Sequence, residues 1–223
     1  MAKLMERIDA GDGLDGPAGE GAALAPAPAP APAPPSRRFV HRGKAVLELG
    51  AGTGLLGMSL ALGGARVTLT EMRALMPTLE AQLAANARAT GARCCAAELT
   101  WGQDDDDGGL GAWCDAHAPP GGFELVVGSD LCICAQWADA LVGVLARLAA
   151  RAAPAPLPIV IGSRRTREGF GAMVDGARRA GFVVRELPRA WMDPAFASDE
   201  IAVLSFEYAP AAAATSDPPP PAL

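Results

Sequence analysis

The chain has 223 residues, half of them apolar and a fifth charged, which suffices for one α/β domain with a buried core and is short for two. Its formal net charge of −6 argues against a general nucleic-acid or membrane-surface binder, because phosphates and anionic lipids attract basic patches. No apolar run has the length of a bilayer span, and no basic start followed by an apolar stretch reads as a secretory leader.

Residues 1–38 read as a disordered lead-in. "MAKLMERIDA" has the makings of one short helix, and "APAPAPAPAPAPP" follows as a polyproline II spacer, since alternating prolines cannot join a helix or a sheet ladder. From Lys44 the pattern changes. "AVLELG" predicts a buried strand, with Thr53 placed to cap a helix that starts near Gly54 and carries Leu56 and Leu60 on one face. "ARVTLTE" is a second strand, followed by a helix with Leu75, Leu79 and Leu83 at four-residue steps. "RCCAAEL" is a third, ending at Trp101, and "GQDDDDGGLGAWCDAHAPPGG" reads as a polar loop.

"FELVVGS" predicts a fourth strand, with Trp137, Leu141, Leu145 and Leu148 on one side of the helix after it. "LPIVIGS" is a fifth, leading to a helix with Phe170, Met173, Val174 and Ala177 on one face. "FVVREL" and "IAVLSFEY" are the sixth and seventh strands, joined without a long helix. The alternation predicts a Rossmann-like, doubly wound α/β fold: a mostly parallel seven-stranded sheet with an antiparallel C-terminal edge and helices on both faces. The domain is expected over residues 39–208, with a disordered tail over 209–223.

Cys94, Cys95, Cys114, Cys132 and Cys134 are odd in number and poorly spaced for disulfides. With His41 and His117 they form no zinc pattern, so no metal is expected. Reduced packing thiols and a cytoplasmic protein are the corresponding expectation. The four aspartates Asp104 to Asp107 read as a solvated turn, and "SRRTRE", Ser163 to Glu168, as a partner for acidic loops or a target-recognition segment.

"VLELGAGTGLLG", Val46 to Gly57, carries the chemistry. Gly50, Gly52 and Gly54 allow a tight turn after the strand and close approach to a ligand. Glu71 ends the second strand nineteen residues after Gly52, where a carboxylate meets ribose hydroxyls. Gly52 to Gly57 also satisfies G-x-G-x-x-G, so a small NAD-binding oxidoreductase is one reading. Glu48 in front of the loop favours S-adenosylmethionine instead, which has an ammonium and a sulfonium and no phosphate.

"GKAVLELGAGTGLLGMSLALGGARVTLTE", "ELTWGQ" and "FELVVGSDL" occur in an order and spacing that resembles the seven-stranded protein-lysine methyltransferases of the methyltransferase-like 21 group, over about Phe39 to Tyr208. The resemblance implies an S-adenosylmethionine-dependent enzyme acting on the side-chain amine of a lysine in a protein substrate, with chaperone-type proteins among the targets. It implies that Gly50, Ala51 and Gly52 line the methionine moiety and that Glu71 stands at the ribose. Trp101 would lie against the adenine and Ser129 beside the cofactor. Asp130 is the catalytic candidate, orienting the amine and stabilising the cationic product; capping of the next helix is its structural alternative. Ile133 stands where the family often has tyrosine, and no tryptophan precedes Trp101. A weakly active cofactor- or protein-binding member is the other reading. Cytoplasm or nucleus is the expected location.

Overall fold

The computed structural model describes residues 41–102, 109–195 and 197–209. The Ala/Pro segment, the run Asp104 to Asp107 and the C-terminal tail lie outside them. Seven strands, β1 (Ala45–Leu49), β2 (Arg66–Glu71), β3 (Cys94–Glu98), β4 (Leu125–Ser129), β5 (Ile159–Arg164), β6 (Phe182–Glu186) and β7 (Ile201–Tyr208), form one sheet in the order β3-β2-β1-β4-β5-β7-β6. β1 to β5 run parallel, while β7 is antiparallel to both β5 and β6. The helices are α1 (Leu55–Leu62), α2 (Met76–Thr90), α3 (Gly109–His117), α4 (Ala138–Ala152) and α5 (Gly169–Arg179).

The central strands are apolar at nearly every position because the sheet is covered on both faces. Side chains alternate between two cores. Leu47, Leu49, Val126, Ile159 and Ile161 pack with α3, α4 and α5, whereas Val46, Leu125, Val127 and Val160 pack with α1 and α2. Glu48 shares the second face with Val46, which aims its carboxyl at α1.

Four sequence expectations are corrected. Thr53 does not cap α1: the position before the helix is Gly54, with φ 77°, and no side chain caps from there. The orphan amide at the third helical residue, Gly57, is instead satisfied by Glu48, nine residues earlier. The third strand ends at Glu98 rather than Trp101. The polar loop contains α3, whose Leu110 and Cys114 are buried while Trp113 Nε1 donates to Glu98 O at 2.7 Å; its glycines obscure the i, i+4 pattern. Leu75 precedes α2 and is 44% exposed, leaving Leu79 as the fully buried member of the expected stripe.

Candidate functional site

In the order β3-β2-β1-β4-β5 the chain winds outward from β1 in one direction and from β4 in the other. Ligands of such sheets bind beyond the carboxyl ends of the strands where the winding reverses. A cavity of about 820 Å³ lies there. Glu48, Gly50, Ala51, Gly52, Glu71, Trp101, Ser129 and Asp130 line it, so eight of the nine sequence-derived site residues meet at one place. Gly54 does not. A Cβ there would meet Leu69 Cδ2 at 2.9 Å and Leu79 Cδ1 at 3.0 Å, so Gly54 serves the packing behind the loop.

The loop leaves β1 through left-handed backbone at Gly50 (φ 56°) and Gly52 (φ 57°), which only glycine adopts without strain. A Cβ at Gly50 would sit 2.9 Å from Leu131 Cδ2 and 3.4 Å from Trp101 Cζ2. Trp101 and Leu131 therefore close on the bare backbone. At Gly52 a Cβ would have no atom within 4 Å, so the loop is open beside that residue.

Two carboxyl groups sit on the loop's amides. Glu71 Oε2 accepts from Gly52 N at 2.8 Å and Oε1 from Met72 N at 2.9 Å. A carboxylate has about four lone-pair sites, so roughly two stay open on Glu71. Glu48 Oε2 accepts from Gly57 N at 2.9 Å, and Glu48 is only 2% exposed. Burial pushes its carboxyl from 4.5 up to about 8, with the Gly57 hydrogen bond pulling down and the nearby Glu71 charge pushing further up. Glu48 is thus mostly a neutral acid at pH 7.

On the opposite wall, Asp130 is the single non-glycine residue with positive φ among the described residues, at 59°. Its N–H donates to Gly162 O at 2.7 Å and its Oδ1 accepts from Arg164 N at 3.3 Å. Oδ2 accepts from Arg167 Nε at 2.9 Å and also from Arg167 Nη2. Asp130 caps no helix: the residue before α4 is Trp137, which makes no side-chain cap. The hydrogen bonds from Arg167, aided by the Arg164 amide and the two guanidinium charges, hold its carboxyl below the usual aspartate value.

Arg167, read in the sequence only as part of a charged segment, lines the cavity and pairs with Asp130. The signal was the "SRRTRE" segment, whose acidic partner lies 37 residues upstream. Leu131, Ile133, Trp137 and Ile201 complete the same wall, with Ile133 62% exposed at the mouth. Cys132 beside them is buried, which pushes its thiol up to about 12, so it packs and does not act as a nucleophile. His41 and His117 do not line the cavity. Among the described residues no group of three or more metal-ligating side chains converges, and no helix is long and apolar enough to cross a membrane.

Residues 35–170 match the family described as lysine methyltransferase. Over 108 residues the chain is 37% identical to the mouse (Mus musculus) EEF1A lysine methyltransferase 3, covering 48% of this chain and 41% of that protein. It is 35% identical, again over 108 residues, to the Danio rerio protein N-lysine methyltransferase METTL21A, covering 48% and 45%. The chain thus spans less than half the length of these curated relatives. Among solved structures, the TehB-like SAM-dependent methyltransferase of Corynebacterium glutamicum superposes with a TM-score of 0.51 at 19% identity, over 74% of this chain and 80% of that one. The glycopeptide N-methyltransferase MtfA gives 0.51 at 17% identity, over 75% and 82%. These two share the fold.

Proposed function

The chain belongs to the lysine methyltransferase family, and from that membership and the cavity we infer that it moves methyl groups from S-adenosylmethionine to the side-chain amine of a lysine on a partner protein. One observation carries the choice of cofactor. Glu71 accepts from Gly52 N at the loop and Glu48 accepts from Gly57 N at the start of α1, so two acids flank the turn, and Glu48 also lines the cavity. Glu71 suits a ribose in either cofactor, whereas the Glu48 acid beside the turn is a poor neighbour for a diphosphate, so Glu48 weighs against the oxidoreductase reading. A phosphate-free nucleoside bearing an ammonium suits the same acids.

The fit is residue by residue. The backbone of Gly50, Ala51 and Gly52, open beside Gly52, would hold the amino-acid part, with Glu48 near its ammonium. The open lone pairs of Glu71 would take the ribose hydroxyls. Trp101, held against Gly50, offers a flat apolar face to the adenine, and Ser129 lies beside it. S-adenosylmethionine, when bound, supplies a methyl group on a sulfonium that departs as a neutral thioether.

The chain's own task is to present a neutral amine in line with that methyl. For a lysine side chain with its ordinary solution basicity, deprotonation at pH 7 requires about 4–5 kcal/mol. Positioning between Asp130 and the apolar side chains of Leu131 and Trp137 supplies orientation. Of the roughly four lone-pair sites on Asp130, three are used by Arg164 N and Arg167, which leaves one on Oδ1 for the amine. For the target, the chaperone-type protein suggested by the resemblance and EEF1A, named in the mouse relative's description, are the first to try. A cytoplasmic or nuclear location belongs to the same proposal.

The test is labelled S-adenosylmethionine incubated with the protein and cell lysate, followed by electrophoresis. A labelled band that Asp130→Ala abolishes supports transfer. Tight S-adenosylhomocysteine binding with no band at all would instead favour a weakly active binding protein. Calorimetric binding of NAD without S-adenosylhomocysteine would overturn the cofactor assignment.

A further inference from the structure

We propose that Arg167 sets the acceptor end of the cavity to favour the neutral amine, by fixing Asp130 and cancelling its charge. The inference rests on the amine-methylation reading above and adds the residue that governs its pH dependence.

The clamp is over-determined. Asp130 holds a left-handed backbone that a side chain disfavours, and four contacts keep it there: its own N–H to Gly162 O, Arg164 N to Oδ1, and Arg167 Nε and Nη2 to Oδ2. Both partners are about a third exposed at the mouth, at 33% for the Arg167 side chain and 28% for Asp130. Among the described residues lining the cavity, Glu48 comes from β1, Glu71 from β2 and Asp130 follows β4, while Arg167, from the β5–α5 turn, is the one cation. Arg164 adds a second positive charge near Asp130, and Cys132 and Cys134 beside it are free thiols. Arg165 faces away, toward Glu186 and Asp199 O.

An unpaired carboxylate beside the acceptor would stabilise the ammonium, which is the unreactive form. Arginine keeps its charge at every working pH, so the Asp130–Arg167 pair stays close to neutral. The apolar side chains of Leu131 and Trp137 act in the same direction, because a desolvated amine loses its proton more readily. The proton goes to solvent before the attack. The nitrogen lone pair then becomes the new N–C bond, the carbon–sulfur pair stays on the departing sulfur, and the positive charge passes from sulfur to nitrogen. The one open site on Asp130 Oδ1 receives an N–H of the cationic product. Asp130 thus orients the amine, and Arg167 is its positioning residue.

The experiment measures methyl transfer against pH for wild type, Arg167→Gln and Arg167→Lys, with calorimetric S-adenosylhomocysteine binding as a check on folding. Arg167→Gln should move the rate profile up by about one pH unit, making transfer roughly tenfold slower at pH 7 and closing the gap at high pH. Arg167→Lys, which keeps the charge and loses the fork, should keep the wild-type profile position. Carbon-13 NMR of the Asp130 carboxyl should show its titration moving up in Arg167→Gln, a readout independent of turnover. A loss by the same factor at every pH, or an unmoved Asp130 titration, overturns the proposal and leaves the clamp as scaffolding. If wild type transfers no methyl, the amine-methylation reading fails, and the charge-setting role falls with it.

Discussion

Glu48→Gln should make the protein more stable and its cofactor binding weaker. The carboxyl is 2% exposed and burial holds it up at about 8, against 4.5 in an unfolded chain. A carboxyl raised on folding favours the folded state fully only below its unfolded value. Between pH 4.5 and about 8 the unfolded chain has released a proton that the folded chain keeps, so stability falls with rising pH at about 1.4 kcal/mol per unit. From pH 5 to pH 7 that amounts to about 2–3 kcal/mol from Glu48 alone. Glutamine cannot titrate and still offers an oxygen to Gly57 N. Urea unfolding at pH 5, 6 and 7, followed by tryptophan fluorescence, would give the variant-minus-wild-type difference at each pH. Any constant offset from the buried amide cancels in the trend. The gap should widen toward pH 7 in favour of the variant, while affinity for S-adenosylhomocysteine drops. A difference constant to within about 0.5 kcal/mol across the range would refute the claim that Glu48 is held protonated.

Gly57→Ala would place a Cβ 2.3 Å from Glu48 Oε2 and 2.9 Å from Leu69 Cδ2. Overpacking and the displaced hydrogen bond should outweigh the better helix propensity, for a net loss of about 2–3 kcal/mol in urea unfolding; a variant as stable as wild type would contradict the packing described. Binding of a ligand ammonium near Glu48 should drive off its proton, about 0.5–0.8 per site at pH 7. Calorimetry with S-adenosylhomocysteine would show this as different apparent enthalpies in phosphate and Tris, a difference that Glu48→Gln removes; equal enthalpies in wild type would place the ammonium elsewhere.

The strands were legible because parallel strands covered on both faces read as short continuous apolar runs, as "AVLEL" and "IVIG" do. The helix α3 was hidden because its first residues are glycine-rich, and only the burial of Leu110 and Cys114 reveals a face. The glycine loop was legible as a turn at the end of β1 that lines the cavity, but not the reason for each glycine. Gly50 is bare for the approach of Trp101 and Leu131, Gly54 for Leu69 and Leu79, and Gly57 for the Glu48 carboxyl. The feature that tells between the two ligand chemistries the fingerprint allows is the Glu48 acid in the cavity lining. The Asp130–Arg167 pair escaped for a different reason. Its members are 37 residues apart, joined only because β4 and β5 are neighbours in the sheet, and no local pattern encodes that meeting.

The two ends of the cavity divide binding from rate. In the proposed reaction, an ammonium near Glu48 and ribose hydroxyls at Glu71 would be the same before and after transfer, so those contacts would stabilise substrate and transition state alike and act on affinity. Charge at the Asp130 end would change during the proposed reaction, as nitrogen goes from neutral to cationic. A contact there strengthens along the reaction and acts on the rate. Arg167 limits that gain by cancelling part of the Asp130 charge, yet it also prevents Asp130 from trapping the amine as its ammonium. Since the bound amine must first lose a proton at a cost of about 4–5 kcal/mol, reducing that cost outweighs a modest loss of product stabilisation. A site with Asp130 unpaired would bind lysine more tightly and methylate it more slowly at neutral pH. Loss of Glu48 should therefore appear in the cofactor dissociation constant with kcat nearly intact, and loss of Arg167 in kcat at neutral pH with cofactor affinity intact.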